Sequence, residues 1–328
     1  MLTSKRFVHI MLALASLALL ASACLGGAPQ TTAADYSSTM QQRADAEKAL
    51  TWLRTQQLDN GSFDAGFGHA AGVSCDAALA IVASGGNPAT WHKAAGSPSV
   101  MDYLAANWAD YAKDAGSTGK LIVTVAAAGQ NPKDWNGQNL VTHLQSFSNG
   151  AGAYDPTSPG QAWAILGLAA AHETIPSATL SALKSLQLET GAWPSAFGPD
   201  NDTAGYVLQA LVAGGEPKNS ASIQKTLAFL QSQQNEDGGF PAIKPSDWGT
   251  DTNANSTASV ILGLLAVGED PRGKSWSKSG GNPVQAVLRL QAVDGQIEFQ
   301  PGVGSPLMST VQAIPALLGK SLPLRIAR

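Results

Sequence analysis

The sequence predicts an all-α protein of six helical hairpins. Three observations predict it: prolines that recur at a near-regular interval, apolar residues at helical spacing ahead of each, and a turn signature repeated between the two helices of a hairpin. Pro88, Pro132, Pro176, Pro217, Pro271 and Pro323 lie roughly 41 to 54 residues apart, a period that fits two helices and two loops. Each closes a run that a small or hydroxylated pair opens: Ser74-Cys75, Thr118-Gly119, Gln161-Ala162, Thr203-Ala204, Thr257-Ala258 and Thr310-Val311. Within the runs the apolar residues mark one helix face, as in Ala204, Val207, Leu208, Leu211 and in Ala258, Ile261, Leu262, Leu265, so these are the second helices of the hairpins.

Ahead of the hairpins, residues 1–23 read as a signal peptide. Lys5 and Arg6 precede the apolar run FVHIMLALASLALL, and ASAC brings small residues up to Cys24. The run is short for a bilayer span. The approach to Cys24 resembles a bacterial lipoprotein signal and implies lipidation of Cys24 and a membrane-anchored, exported protein, with simple cleavage after Ala23 as the alternative. Residues 24–40, rich in Gly, Ala, Thr and Ser, read as a flexible tether, and residues 41–328 as one domain of six repeats. With Cys24 lipidated or removed, Cys75 is the single remaining thiol, so stability must come from packing and not from a disulfide.

The first helices carry the turn signature. WLRTQQLDNGSF (Trp52 to Phe63) and FLQSQQNEDGGF (Phe229 to Phe240) share an aromatic-Leu start, then Gln57 or Gln234, Gly61 or Gly238, and Phe63 or Phe240. LKSLQLETGAW keeps Leu183, Gln187, Gly191 and Trp193; LQSFSNGAGAY keeps Leu144, Gly152 and Tyr154 but has Ser148 for Gln. The sixth copy has Gln291, Gly295 and Ile297, and the second, around Tyr103 and Leu104, has lost the Gln. Physically, the helix stops, turns at Gly, and returns an aromatic under its own end while the amide satisfies orphan backbone groups.

This signature resembles the Gln-aromatic repeat of the terpenoid cyclase and protein prenyltransferase superfamily. The chain is nearest in pattern to secreted bacterial proteins akin to the α-domain of intrinsic factor and transcobalamin. The resemblance implies a closed α6/α6 toroid, six outer helices around six inner ones. It also implies a cavity for a bulky, partly apolar ligand, isoprenoid-like or corrinoid, bound without turnover; a cyclase-like or carbohydrate-active enzyme using rim carboxylates is the alternative. A class II cyclase of this family carries Asp-x-Asp-Asp leading into Thr-Ala. Here Pro199 and Asn201 occupy the first and the proton-donating positions, and only Asp202 matches. An amide does not supply that proton, so Asp202 is read as a helix N-cap facing the cavity, equivalent to Ser117, Ser256 and Ser309, with proton transfer as its alternative role. The zinc set of the prenyltransferases is not expected. Cys75 matches small residues in the other repeats, and His69, His92, His143 and His172 show no paired spacing.

Composition narrows the partners. The chain of 328 residues is 44% hydrophobic and 13% charged, with net charge −4; it can bury a sizeable core and lacks the basic footprint of a nucleic-acid binder. The cavity candidates are the aromatics Trp163, Tyr206, Trp193, Phe240 and Trp248, with Asp202. Trp163 and Tyr206 are favoured because they follow the pairs that open inner helices. Asp200, Asp202, Asp237, Asp247 and Asp251 form the carboxylate set of the enzyme alternative. No metal and no required cofactor are expected, a corrinoid being a ligand only.

Overall fold

The computed structural model describes residues 33–324, with side chains from residue 39 onward. The signal segment and Cys24 lie outside the described residues. The chain divides into two units, Met1–Gln41 and Gln42–Arg328. Of the first only the start of helix α1 is described, and the account below concerns the second.

Six hairpins follow one another: α1 (Ala33–Thr55) with α2 (Ala70–Ala83), α3 (Val100–Tyr111) with α4 (Ala115–Ala127), α5 (Leu140–Gln145) with α6 (Ser158–Ala170), α7 (Ser177–Ser185) with α8 (Asn201–Ala213), α9 (Ala221–Gln233) with α10 (Ala254–Val267), and α11 (Pro283–Leu288) with α12 (Pro306–Leu317). Helix α1 begins inside the span read as a tether, at Ala33 and Ala34, and continues through Gln41, Gln42 and Glu47, all good helix formers. Among the described residues the only sheet is a two-residue ribbon, Pro194–Ser195 antiparallel to Gly198–Pro199.

The even-numbered helices form the inner ring. Each packs on the next, α2 on α4 through to α10 on α12, and α12 returns to α2: the ring closes into the α6/α6 toroid. Inner helices are covered on all sides and are accordingly apolar nearly throughout. In α6 the buried residues run Ala162, Trp163, Ala164, Ile165, Leu166, Gly167, Leu168. Outer helices bury one stripe, such as Val100, Met101 and Leu104 of α3, and leave the other face to solvent. The inner helices approach closely where glycine allows it. A Cβ on Gly205 of α8 would lie 2.3 Å from the Ser259 carbonyl oxygen of α10.

The Gln-aromatic turns join neighbouring hairpins. Gln234 Nε2 donates to Gly238 O of its own turn (2.9 Å) and to Trp276 O of the next hairpin (2.7 Å), and Gln57 does the same with Gly61 O and Trp91 O. Gly238 holds φ +90, and a Cβ there would meet Gly281 O at 2.5 Å, so conformation and space both require glycine. The backbone N–H of the returning residue is taken by the inner helix. Phe63 N donates to Ser74 Oγ, Phe240 N to Thr257 Oγ1 and Ile297 N to Thr310 Oγ1, at 2.8 to 3.0 Å. The paired small residues therefore sit within the first turns of the inner helices, where their hydroxyls anchor the preceding turn. Gln291 Nε2 donates to Asp45 O at 2.8 Å, which ties the last hairpin to the first. In the third hairpin, where Ser148 replaces Gln, the amide comes from the inner helix. Gln161 Nε2 donates to Gly152 O and to Thr179 O, and its Oε1 accepts from Tyr154 N.

Candidate functional site

Inner helices start at side-chain caps that set their register. Asp114, Thr157, Asp200 and Asn253 accept from the amides of Ser117, Gly160, Thr203 and Ser256. Counting six residues on from these caps gives Lys120, Trp163, Tyr206 and Ser259, one level of the ring. Asp76 of α2 and Gln312 of α12 complete that belt. Its members touch in sequence: Lys120 Nζ donates to Asp76 Oδ2 at 2.7 Å and stands 5.6 Å over the Trp163 ring, and Trp163 and Tyr206 lie 5.2 Å apart between centroids.

The belt surrounds a cavity of about 30 Å³, walled by Leu79, Leu262, Val311, Pro315 and Leu322, with Asp76, Trp163, Tyr206, Ser259 and Gln312 supplying the polar and aromatic groups. That space holds roughly two water molecules. A second cavity, about 780 Å³, lies at the C-terminal ends of α4 and α6, bounded by Ala126, Gln130, Asn131, Ala171, His172, Pro323 and Leu324.

Asp202 is not the helix cap. Asp200 Oδ1 accepts the Thr203 amide at 2.6 Å and caps α8, and Asp202 is the second residue of the helix. The hairpin register explains the shift: measured from the caps, Thr203 matches Ser256 of α10 and Ser117 of α4, so Asp202 matches Asn255 and Gly116 instead. Asp202 lies one turn before Tyr206 on the same face of α8. Its Oδ1 is buried without a hydrogen-bond partner. Burial pushes its carboxyl up to about 6, with the Ser256 hydroxyl opposing the rise and the Asp200 charge adding to it. Tyr206 is held well above the usual phenol range, by burial first and then by the charges of Asp76, Asp202 and Asp200; it is a neutral donor and acceptor near pH 7.

Of the aromatic candidates, Trp163 and Tyr206 line the central cavity, and three lie elsewhere. Trp193 is fully buried, with its indole N–H donating to Thr226 Oγ1 at 2.9 Å, and Phe240 is fully buried against Trp276. Both are the returning aromatics of Gln turns, which pack between the helix layers and not into the ring. Trp248 is 99% exposed on the α9–α10 loop. Of the carboxylate set, Asp237 accepts from Gly239 N in its own turn and from Thr252 Oγ1 at the far end of the α9–α10 loop, while Asp247 and Asp251 are exposed. Cys75 is buried beside Asp76 and its thiol is pushed up to about 12, by burial above all, so it stays protonated and inert. Among the described residues no cluster of three His, Cys, Asp or Glu could hold a metal. His69 caps α2, and His143 shares a hydrogen bond with Ala112 O.

Sequence reasoning missed Asp76, Lys120, Ser259 and Gln312. Asp76 and Lys120 carried a readable signal, each being a charge inside an otherwise apolar inner-helix run, SCDAALAIV and TGKLIVTV.

No protein-family model matches the sequence, and no curated protein matches it. Solved structures do. The chain is similar to the type II terpene cyclase MstE from Scytonema in complex with its product merosterolic acid A, at 15% identity and TM-score 0.58, over 87% of this chain and 98% of that one. It is similar to the ent-copalyl diphosphate synthase from Streptomyces platensis at 16% identity and TM-score 0.53, over 76% of this chain and 50% of that one. It is also similar to a glycosidase at 12% identity and TM-score 0.52, over 87% and 98%. The chain has the α/α-toroid fold of these proteins.

Proposed function

We propose that the protein binds a slender, partly apolar organic molecule at the centre of its inner ring. The observation that carries this reading is the convergence there of aliphatic walls with a few polar groups, Asp76, Tyr206, Ser259 and Gln312, beside Trp163. Concave, mostly apolar space with sparse, convergent polar groups is the usual make-up of a small-molecule site. The likeness to MstE supports it, since structures of that enzyme hold geranylgeranyl dihydroxybenzoate as substrate and merosterolic acid A as product. About 30 Å³ holds neither a corrinoid macrocycle nor an isoprenoid chain as it stands, so binding of either requires part of the cavity wall to move. Native mass spectrometry of protein purified from its source should show a co-purifying small molecule, and farnesol should raise the melting temperature. A chain that carries no extra mass and whose melt does not respond to farnesol would reject the reading.

A second reading, turnover by proton transfer, is favoured by Asp202. A carboxyl near 6 with a bare oxygen on the face of α8 that carries Tyr206 is suited to give a proton at near-neutral pH. Under this reading Asp202→Asn abolishes product formation and leaves binding intact. Equal turnover by the variant would remove Asp202 from the chemistry.

Export belongs to the same proposal and rests on Lys5, Arg6, the apolar run and ASAC before Cys24. Cys24→Ser should abolish lipid labelling and release the protein from membranes; unchanged attachment would exclude a lipid anchor at this residue. No helix among the described residues is long and apolar enough to cross a membrane.

A further inference from the structure

We infer that the segment Gly319–Leu324, which follows α12, occupies part of the ligand site and must leave it for a ligand to bind, so that the protein carries its own competitor. This rests on the binding reading above and adds to it how the site is filled and what it selects. The segment is the common wall of the two cavities. Leu322 lines the small central one, while Pro323 and Leu324 bound the larger one at the ends of α4 and α6. Moving the segment would join about 30 Å³ to about 780 Å³, space for a chain-like molecule where none fits otherwise.

Among the described residues the segment is held by few hydrogen bonds, with Leu322 and Leu324 buried. Gly319 N and Lys320 N donate to Ala316 O and Pro315 O at the end of α12. Beyond these, Leu322 N donates to Gln209 Oε1 at 2.9 Å, and Leu322 and Leu324 pack into the cluster that includes Leu79, Trp163 and Leu208. Gln209 is the telling residue. It is a buried amide on inner helix α8, 1% exposed; its Nε2 donates to Gly205 O of its own helix, and its Oε1 accepts from the segment. A buried acceptor that loses its donor is costly, so whatever displaces Leu322 must bring an N–H or O–H to Gln209. What the segment presents to the ring is a branched aliphatic group beside one hydrogen-bond donor. The ligand class that copies it is a branched aliphatic chain with a hydroxyl or amide at its head.

Farnesol has that chemistry and serves as the probe, with farnesyl methyl ether as the analogue lacking the donor. In hydrogen exchange of the full chain, saturating farnesol should speed exchange of the Leu322 amide at least tenfold while the inner helices exchange more slowly, because the ligand takes the acceptor. A Leu322→Ala/Leu324→Ala chain should bind farnesol at least tenfold more tightly than the unaltered chain, and the ether at least tenfold more weakly than the alcohol. Farnesol binding with the Leu322 amide unchanged or slowed overturns the displacement and leaves the binding reading standing. Equal affinity for alcohol and ether overturns the Gln209 assignment. No farnesol binding by either chain overturns both. If the double variant fails to fold by circular dichroism, the exchange experiment on the unaltered chain decides alone.

Discussion

The Asp200 carboxylate takes the Thr203 amide at the start of α8, so Asp200→Ala should cost about 0.5–2 kcal/mol, as lost caps do. Asp202→Ala removes no cap, and it relieves a buried acceptor that has no donor. Thermal melts of the two variants should therefore separate, with Asp200→Ala the less stable; the opposite order would restore the cap to Asp202. The pH dependence has its own sign. Folding raises the Asp202 carboxyl from 3.8 to about 6. Below about pH 3 it is neutral in folded and unfolded chains alike and costs nothing. As pH rises toward 6 the unfolded chain ionises first, so stability is lost, by roughly 2–3 kcal/mol at completion. Asp202→Asn should abolish that loss: the stability gap between variant and parent should widen from pH 4 to 6 and then level off. A gap constant across this range would mean the carboxyl titrates normally.

At the scale of elements, α2 and α4 share the Asp76–Lys120 pair, whose side chains are 11% and 15% exposed. Removing one member leaves the other charge buried and alone. Lys120→Met should cost about 3–5 kcal/mol, and Asp76→Asn/Lys120→Met should recover most of it. Urea midpoints of the two chains check this; a double variant as unstable as the single one would mean the cost lies in packing and not in charge. The hairpins themselves were legible in the residues, because prolines ended the inner helices and the Gln-Gly-aromatic turn ended three of the outer ones, with partial copies at Gly152-Tyr154 and Gln291-Gly295. The start of α8 was not. Asp200 and Asp202 are equally good caps by type, and the choice between them depends on how α8 sits against α10 across Gly205, a contact between distant residues. The same limit applies to the site. Trp163 and Tyr206 follow from their place in the inner helices, whereas Trp193 and Phe240 belong to turns that face the space between layers. Nothing local to Lys320–Leu324 says that it folds back under the ring.

For the unit Gln42–Arg328, closure is the dominant fact. Every inner helix has two inner neighbours, and Gln291 on Asp45 O seals the last hairpin to the first. An open array of repeats frays from its ends and unfolds in stages, whereas a closed one has no end from which to fray. Far-ultraviolet circular dichroism and tryptophan fluorescence should report one coincident urea transition. Trp163, Trp193 and Trp276 sit in three different hairpins, so fluorescence that runs ahead of helix loss would expose an independent subset. Gln161 shows how such a ring tolerates change. Two carbonyls, of Gly152 and Thr179, are served by the inner helix of the third hairpin because the turn after its outer helix carries Ser148 in place of Gln. Grafting α5 alone in place of another outer helix would strand the corresponding carbonyls at the new position, and grafting another outer helix there would bring two amides to one pair of acceptors. The smallest part that can be exchanged between positions of this ring is thus the whole hairpin, since each hairpin brings the one amide that serves its own turn and a backbone carbonyl of the next.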